Sequence, residues 1–268
     1  MIDCHVHSNF STDGKMHTDT ACQAAIDLGL AGIAFTDHFD INYPYPDFVF
    51  KFDLDEYFEN IERIKYKYKD KIKVLAGIEM GLMPDTIDEN LQIIRQNNFD
   101  YVLASVHVVD GMDPYMMDYY NDKTKQEAYE RYLEEVHKII TLINDFDMFA
   151  HLDYVIRPAG YSDRTLSYCD HSDIFDSIFK ELISRGKGFE INTGSYRDRT
   201  DGKKLAEYDI NILKRYKELG GEMVCLSSDA HIPEHIGLKF SQFTELVKEA
   251  GFKYTVHFEQ RNPVFTKI

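Results

Sequence analysis

The chain has 268 residues, of which 44% are hydrophobic and 28% charged, and it carries a formal net charge of -16. That size allows one large α/β barrel or two ordinary domains, and the acidic balance argues against nucleic-acid backbones, which need clustered Lys and Arg. No apolar run approaches the ~20 residues that span a bilayer, and the first residues enter a strand pattern without a signal segment, so a cytoplasmic protein with no membrane partner is expected.

Strand and helix patterns alternate along the chain. The first strand, Ile2-Asp3-Cys4-His5-Val6-His7, precedes a helix over 18–28, where Ala21, Ala24, Ala25 and Leu28 fall at helical spacing. A strand over 32–38 leads to a helix over 53–68, one over 74–79 to a helix over 85–97, and one over 102–107 to a helix over 123–144. Strands over 148–151, 188–192 and 223–231 precede helices over 172–184, 205–219 and 240–250, and 253–258 is a last strand candidate. Gly29, Gly186 and Gly220 stand where helix C-caps belong. Such alternation implies βα units around a parallel sheet, and with no linker or compositional break it implies one domain over 1–268. Uneven loops at 42–49 and 157–170 follow strands, which places a site at the strand C-termini. Cys4, Cys22, Cys169 and Cys225 show no C-x-x-C pairing and read as reduced thiols.

The strand exits carry the chemistry. His5 and His7, two apart on a strand, share a face and can chelate one ion. Asp3 can fix the tautomer of one of these rings by accepting its free N–H. Glu79, His107, His151 and the Asp229/His231 pair each close an apolar run, and a carboxylate such as Glu79 can bridge two cations. Each histidine alone reads equally as a hydrogen-bonded core residue; six of the 11 at strand ends point to a polynuclear metal site.

This ordered set resembles the PHP (polymerase and histidinol phosphatase) superfamily, through Asp3-Cys4-His5-Val6-His7, Thr36-Asp37-His38, Glu79, His107 with His151, and Asp229-Ala230-His231. The likeness covers essentially the whole chain and is greatest to the stand-alone histidinol-phosphate phosphatases. It implies a distorted (β/α)7 barrel and about three divalent ions, zinc, manganese or iron. Carried over by position, His5, His7, Glu79 and Asp229 hold the first ion, Glu79, His107 and His151 the second, and Asp13, His38 and His231 the third. Asp13 departs from members with a histidine there, and its harder oxygen favours manganese or iron at that site. Asp37 belongs to the surrounding shell. Such a cluster acidifies a water for in-line attack on a small phosphate ester, with Asp229 or His231 as candidates to protonate the leaving oxygen. The expected reaction is hydrolysis of L-histidinol phosphate in histidine biosynthesis, the alternative being a nucleotide or another small phosphate ester.

Position alone supplies the substrate contacts. Arg157 and Arg197, on loops at the expected site, can clamp a phosphate. Glu190, Asn192 and Asp110 can receive an ammonium or imidazole, and Tyr161 or Tyr196 can stack on a ring. The oligomeric state is not encoded in any visible pattern.

Overall fold

The computed structural model describes residues 1–198 and 205–268. Its strands are β1 (Ile2–Val6), β2 (Gly32–Phe35), β3 (His38–Asp40), β4 (Lys73–Gly81), β5 (Tyr101–Ser105), β6 (Met148–Phe149), β7 (Gly188–Asn192) and β8 (Val224–Ser227). Seven run parallel in the order β1-β2-β4-β5-β6-β7-β8, with β3 alongside β4 beyond β2. The ring closes through a Val6–Ala230 bridge and hydrogen bonds from Asp229 N to His5 O (2.8 Å) and His7 N to Ala230 O (2.9 Å). Helices α1 (Thr18–Asp27), α2 (Leu54–Tyr68), α3 (Ile87–Gln96), α4 (Lys125–Leu142), α5 (Ser172–Ser184), α6 (Ile210–Glu218) and α7 (Phe240–Glu249) alternate with the strands. Their apolar stripes, such as Tyr57, Ile61 and Ile64 of α2, bury against the sheet. The architecture is a nearly closed α/β barrel of parallel strands, as the alternation predicts.

Two local departures position the site. The strand expected over 32–38 breaks at Thr36-Asp37, where the Asp37 carboxylate turns away to accept from Ser8 N (2.6 Å) and Ser11 N (3.1 Å). A Cβ at Gly77 would lie 2.8 Å from both Phe35 O and Thr36 Cγ2, so only glycine lets β4 pass this break. In β1 the pairing register shifts between Asp3 and Val6, consistent with a bulge. Cys4 therefore packs inside the barrel while Val6, two residues on, packs in the outer core. Bulges beside sites re-aim side chains in this way.

The lower barrel is filled by Cys4, Ala34, Leu75, Leu103, Met148 and Cys225, and it is closed from below by Val256 and Phe258. Those last two belong to β9 (Tyr254–Glu259), the final strand candidate, which pairs antiparallel with β10 (Asn262–Lys267) as a separate hairpin. Arg261 at the hairpin turn pins it to the barrel: Nε donates to Asp147 Oδ2 (2.5 Å), Nη2 to Asp145 Oδ1 (3.1 Å) and its backbone N to Asp100 O (2.9 Å). Burial raises the pKa of Asp147 despite this partner. Arg261→Ala, which strands that carboxylate, is expected to lower stability by about 1–3 kcal/mol, read as a fall in the urea midpoint at unchanged slope. An unmoved midpoint would show that the side-chain clamp is not part of what holds the barrel bottom.

Candidate active site

At the C-terminal mouth, residues from six strand exits meet. Glu79 is fully buried at the centre: Oε1 lies 2.8 Å from His151 Nε2 and 3.1 Å from His107 Nε2, and Oε2 lies 2.8 Å from His38 Nδ1 and 3.2 Å from His5 Nε2. His7 Nε2 is 3.1 Å from Asp229 Oδ1. On the cleft side, Asp13 Oδ2 faces His231 Nε2 at 3.2 Å and His38 Nε2 at 3.7 Å. Asp229 reaches inward from a left-handed backbone (φ 53°), a conformation that Asp tolerates better than most residues. Three groupings have metal-ligand spacing: His5, His7, Asp229; His38, Glu79, His107; and His7, His38, His231.

What each imidazole Nδ1 meets decides its tautomer. Glu190 can only accept, so His5 Nδ1, 3.0 Å away, carries the proton. Ser11 Oγ commits its single proton to Asp37 (2.9 Å), and therefore accepts from His7 Nδ1 (3.0 Å). His107 Nδ1 faces Asp40 Oδ1 (2.7 Å), and His231 Nδ1 faces the Asp229 carbonyl (3.1 Å). For neutral rings every Nε2 is then a bare lone pair, yet the Nε2 atoms of His5 and His7 are 2.9 Å apart. The Nε2 atoms of His107 and His231 point at carboxylates in the same way. Buried lone pairs in such contact repel unless cations stand among them, and ligands ~2.0–2.1 Å from a tetrahedral ion lie about 3.3 Å apart. Burial disfavours charge on His5, but Glu190, Glu79 and Asp229 outweigh it and hold its pKa well above the ordinary value. The same carboxylates would hold a metal cation. Among the described residues, His38 Nδ1, Glu79 Oε2 and His231 Nε2 make close carboxylate–imidazole contacts without hydrogen-bond geometry. The donor set fits divalent metal.

Several expected contacts lie elsewhere. Asp3 serves no histidine ring: its carboxylate takes Ser228 N (3.0 Å), Ser228 Oγ (2.6 Å) and Gly237 N (2.9 Å), tying β1 to the loop after β8. The tautomer role assigned to it belongs to Glu190, which is 2% exposed, also accepts from His151 N (2.9 Å) and Asn192 Nδ2 (2.8 Å), and does not face the cleft. Asn192 is buried with it and reaches Asp229 Oδ2 at 3.3 Å. Asp37 acts through Ser11. Asp110 is a turn residue: Val109 and Met112 bridge across Asp110-Gly111, both at positive φ, and its carboxylate meets Arg131 (2.7 Å) on the exterior. Tyr161 donates to Lys123 O (2.9 Å) away from the cleft, and Tyr196 is buried against Tyr208 and Phe243. Sequence reasoning missed Asp40, although His38-Phe39-Asp40 has the same alternate spacing as His5-Val6-His7.

Beside the histidines opens a cleft of about 840 Å³ lined by Asp13, His38, His107 and His231, the arginines Arg157, Arg164 and Arg197, and an aromatic wall. Arg157 stacks on Tyr154 (5.0 Å), donates to Ser195 Oγ (3.2 Å) and pairs with Asp229 Oδ2 (2.5 Å). Arg197 donates to the carbonyls of Ser228 (2.8 Å) and Asp229. Burial disfavours ionised Asp229, but Arg157 and His5 prevail and hold its pKa well below the usual carboxylate range.

A parallel barrel with a ring of histidines and carboxylates at its mouth, facing arginines, defines a class, and the chain belongs to the PHP domain family, whose profile matches residues 3–194. A probable histidinol-phosphatase of Clostridium acetobutylicum is 36% identical over 97% of this chain and 98% of its own length. The histidinol-phosphatase of Lactococcus lactis is 34% identical over 94% of this chain and 91% of its own. A crystal structure of the Lactococcus lactis histidinol phosphate phosphatase, complexed with zinc, L-histidinol and phosphate, superposes with a TM-score of 0.90 at 32% identity, covering 98% of both chains. No helix among the described residues is long and apolar enough to cross a membrane.

Proposed function

We propose that this chain is a metal-dependent phosphomonoesterase that hydrolyses L-histidinol phosphate to L-histidinol and phosphate in histidine biosynthesis, working in the cytoplasm as one domain over 1–268. The observation that carries the reading is the convergence of imidazole nitrogens and carboxylates, with Glu79 buried at their centre, at one end of a cleft that arginines also line. The Lactococcus lactis relative, with zinc, histidinol and phosphate, supports the substrate.

The ligands are His5, His7, Asp13, His38, Glu79, His107, His151, Asp229 and His231, enough for about three ions, with zinc, manganese or iron suited to the nitrogen and oxygen donors. Bound divalent cations neutralise phosphate charge and make water acidic enough to attack phosphorus near neutral pH. Glu190, Asp40 and the Ser11–Asp37 pair keep three Nδ1 protons in place, so those rings present lone pairs inward. Arg157 and Arg197 orient the phosphate oxygens. Asp229 and His231, both at the edge of the metal-holding set, are the two candidates to deliver a proton to the leaving alcohol, each only in a state in which it is not held by an ion.

Side-by-side kinetics test the substrate. L-Histidinol phosphate is expected to turn over with kcat/KM at least about tenfold above nucleoside monophosphates, because an acidic protein favours a substrate that carries positive charge beside its phosphate. Faster turnover of nucleotides, with failure to rescue a histidine auxotroph lacking its phosphatase, would favour the nucleotide reading.

A further inference from the structure

Glu190 and Asp110 are out of reach of the cleft, which leaves open what meets the far end of the substrate. Among the described residues, Asp113 is the only buried carboxylate that lines the cleft; it is 3% exposed, whereas Asp13 and Asp198 are open to solvent. Asp113 sits in the loop after the Val109–Met112 bridge, and three donors hold it. Tyr154 Oη donates to Oδ1 (3.0 Å), Tyr115 N donates to Oδ1 (2.6 Å) and Tyr43 Oη donates to Oδ2. Tyr43 and Tyr154 come from two other loops and Tyr115 from its own, so the carboxylate is fixed in place from several sides.

The same tyrosines form walls around it. The Tyr154 ring lies 5.2 Å from the His107 ring and 6.3 Å from the Tyr115 ring, while Tyr43 stands edge-on to Phe50 at 4.9 Å. Tyr154 thus spans from a metal-facing histidine at its ring to Asp113 at its hydroxyl. The carboxylate therefore stands about one tyrosine length from the His107 ring.

We propose that Asp113 is a specificity-determining residue that accepts the ring N–H of the leaving alcohol's imidazole, an inference that rests on the phosphomonoesterase reading above. A carboxylate offers about four acceptor positions, and the three donors leave one. One position matches the single N–H of a flat heteroaromatic ring, which also fits against tyrosine faces. An ammonium could place one proton there too, but it has no flat face to set against the tyrosine walls.

The test uses the metal-loaded full chain and two esters, L-histidinol phosphate and 2-aminopropanol phosphate, which keeps the ammonium and lacks the ring. For Asp113→Asn, the ratio of kcat/KM between the two is expected to fall about 10- to 100-fold, mostly through KM for the histidinol ester. An unchanged ratio would overturn the inference, whether both rates hold or both fall together. If that variant fails to fold, the wild-type enzyme carries the test with histidinol phosphate methylated on one ring nitrogen, whose neutral ring has no N–H to donate. A similar loss of kcat/KM supports the assignment, and an undiminished rate overturns it. Absence of histidinol phosphate hydrolysis by the wild type would instead sink the underlying function.

Discussion

Glu79→Gln is expected to lower kcat by about 10³-fold or more, equivalent to ~4 kcal/mol of transition-state stabilisation, and to lower metal content with it. The substitution keeps the side-chain shape but removes the negative charge from a buried group that faces four imidazoles, His5, His38, His107 and His151. An amide also replaces one ligating oxygen by an N–H₂ group, which has no lone pair to give a cation where a shared ion belongs. Elemental analysis of protein purified without chelator should give about three equivalents per chain in the wild type and fewer in the variant. A wild-type value near one would reduce the cluster to a single ion, and full activity in metal-free protein would remove metal from the mechanism.

Arg157→Ala is expected to reduce kcat/KM by about 10²-fold, or ~2.7 kcal/mol, with metal content unchanged. Arg157 is mostly buried, braced by Ser195 and the Tyr154 ring, and aimed across the cleft at Asp229. Its removal leaves Asp229 more negative, which if anything tightens a neighbouring cation, so a fall in activity without loss of metal isolates the phosphate contact. Arg197→Ala should behave alike, its guanidinium being held toward the cleft by the carbonyls of Ser228 and Asp229. Wild-type kinetics from both variants would leave the phosphate to the metals alone.

The barrel was legible because parallel strands buried on both faces read as short apolar runs, and the intervening helices keep a separate periodicity. The exits carrying His5, His7, His38, Glu79, His107, His151 and Asp229 converge because a closed parallel sheet puts all its strand C-termini at one end, whereas Glu190 at the end of β7 stays beneath the cleft. The hairpin was half legible: Val256 and Phe258 mark β9, but β10 alternates between exposed and half-buried residues with too little apolar content to stand out.

The residue types and their positions at strand ends are local properties, so the primary structure determined them. Partners are not local. Glu190 stands 185 residues from His5, and nothing near Asp3 indicates that its oxygens turn to Ser228 and Gly237 instead of a histidine two residues away. The bulge in β1, the break at Thr36-Asp37 and the turn at Asp110-Gly111 each rotate a side chain to a face that simple alternation does not assign. Between Asp110 and Asp113, three residues apart, only the tertiary structure chose which carboxylate lines the cleft. Direction and pairing are set where strands from distant parts of the chain are forced together, because burial there leaves each polar group only the partners that closure of the barrel brings within reach.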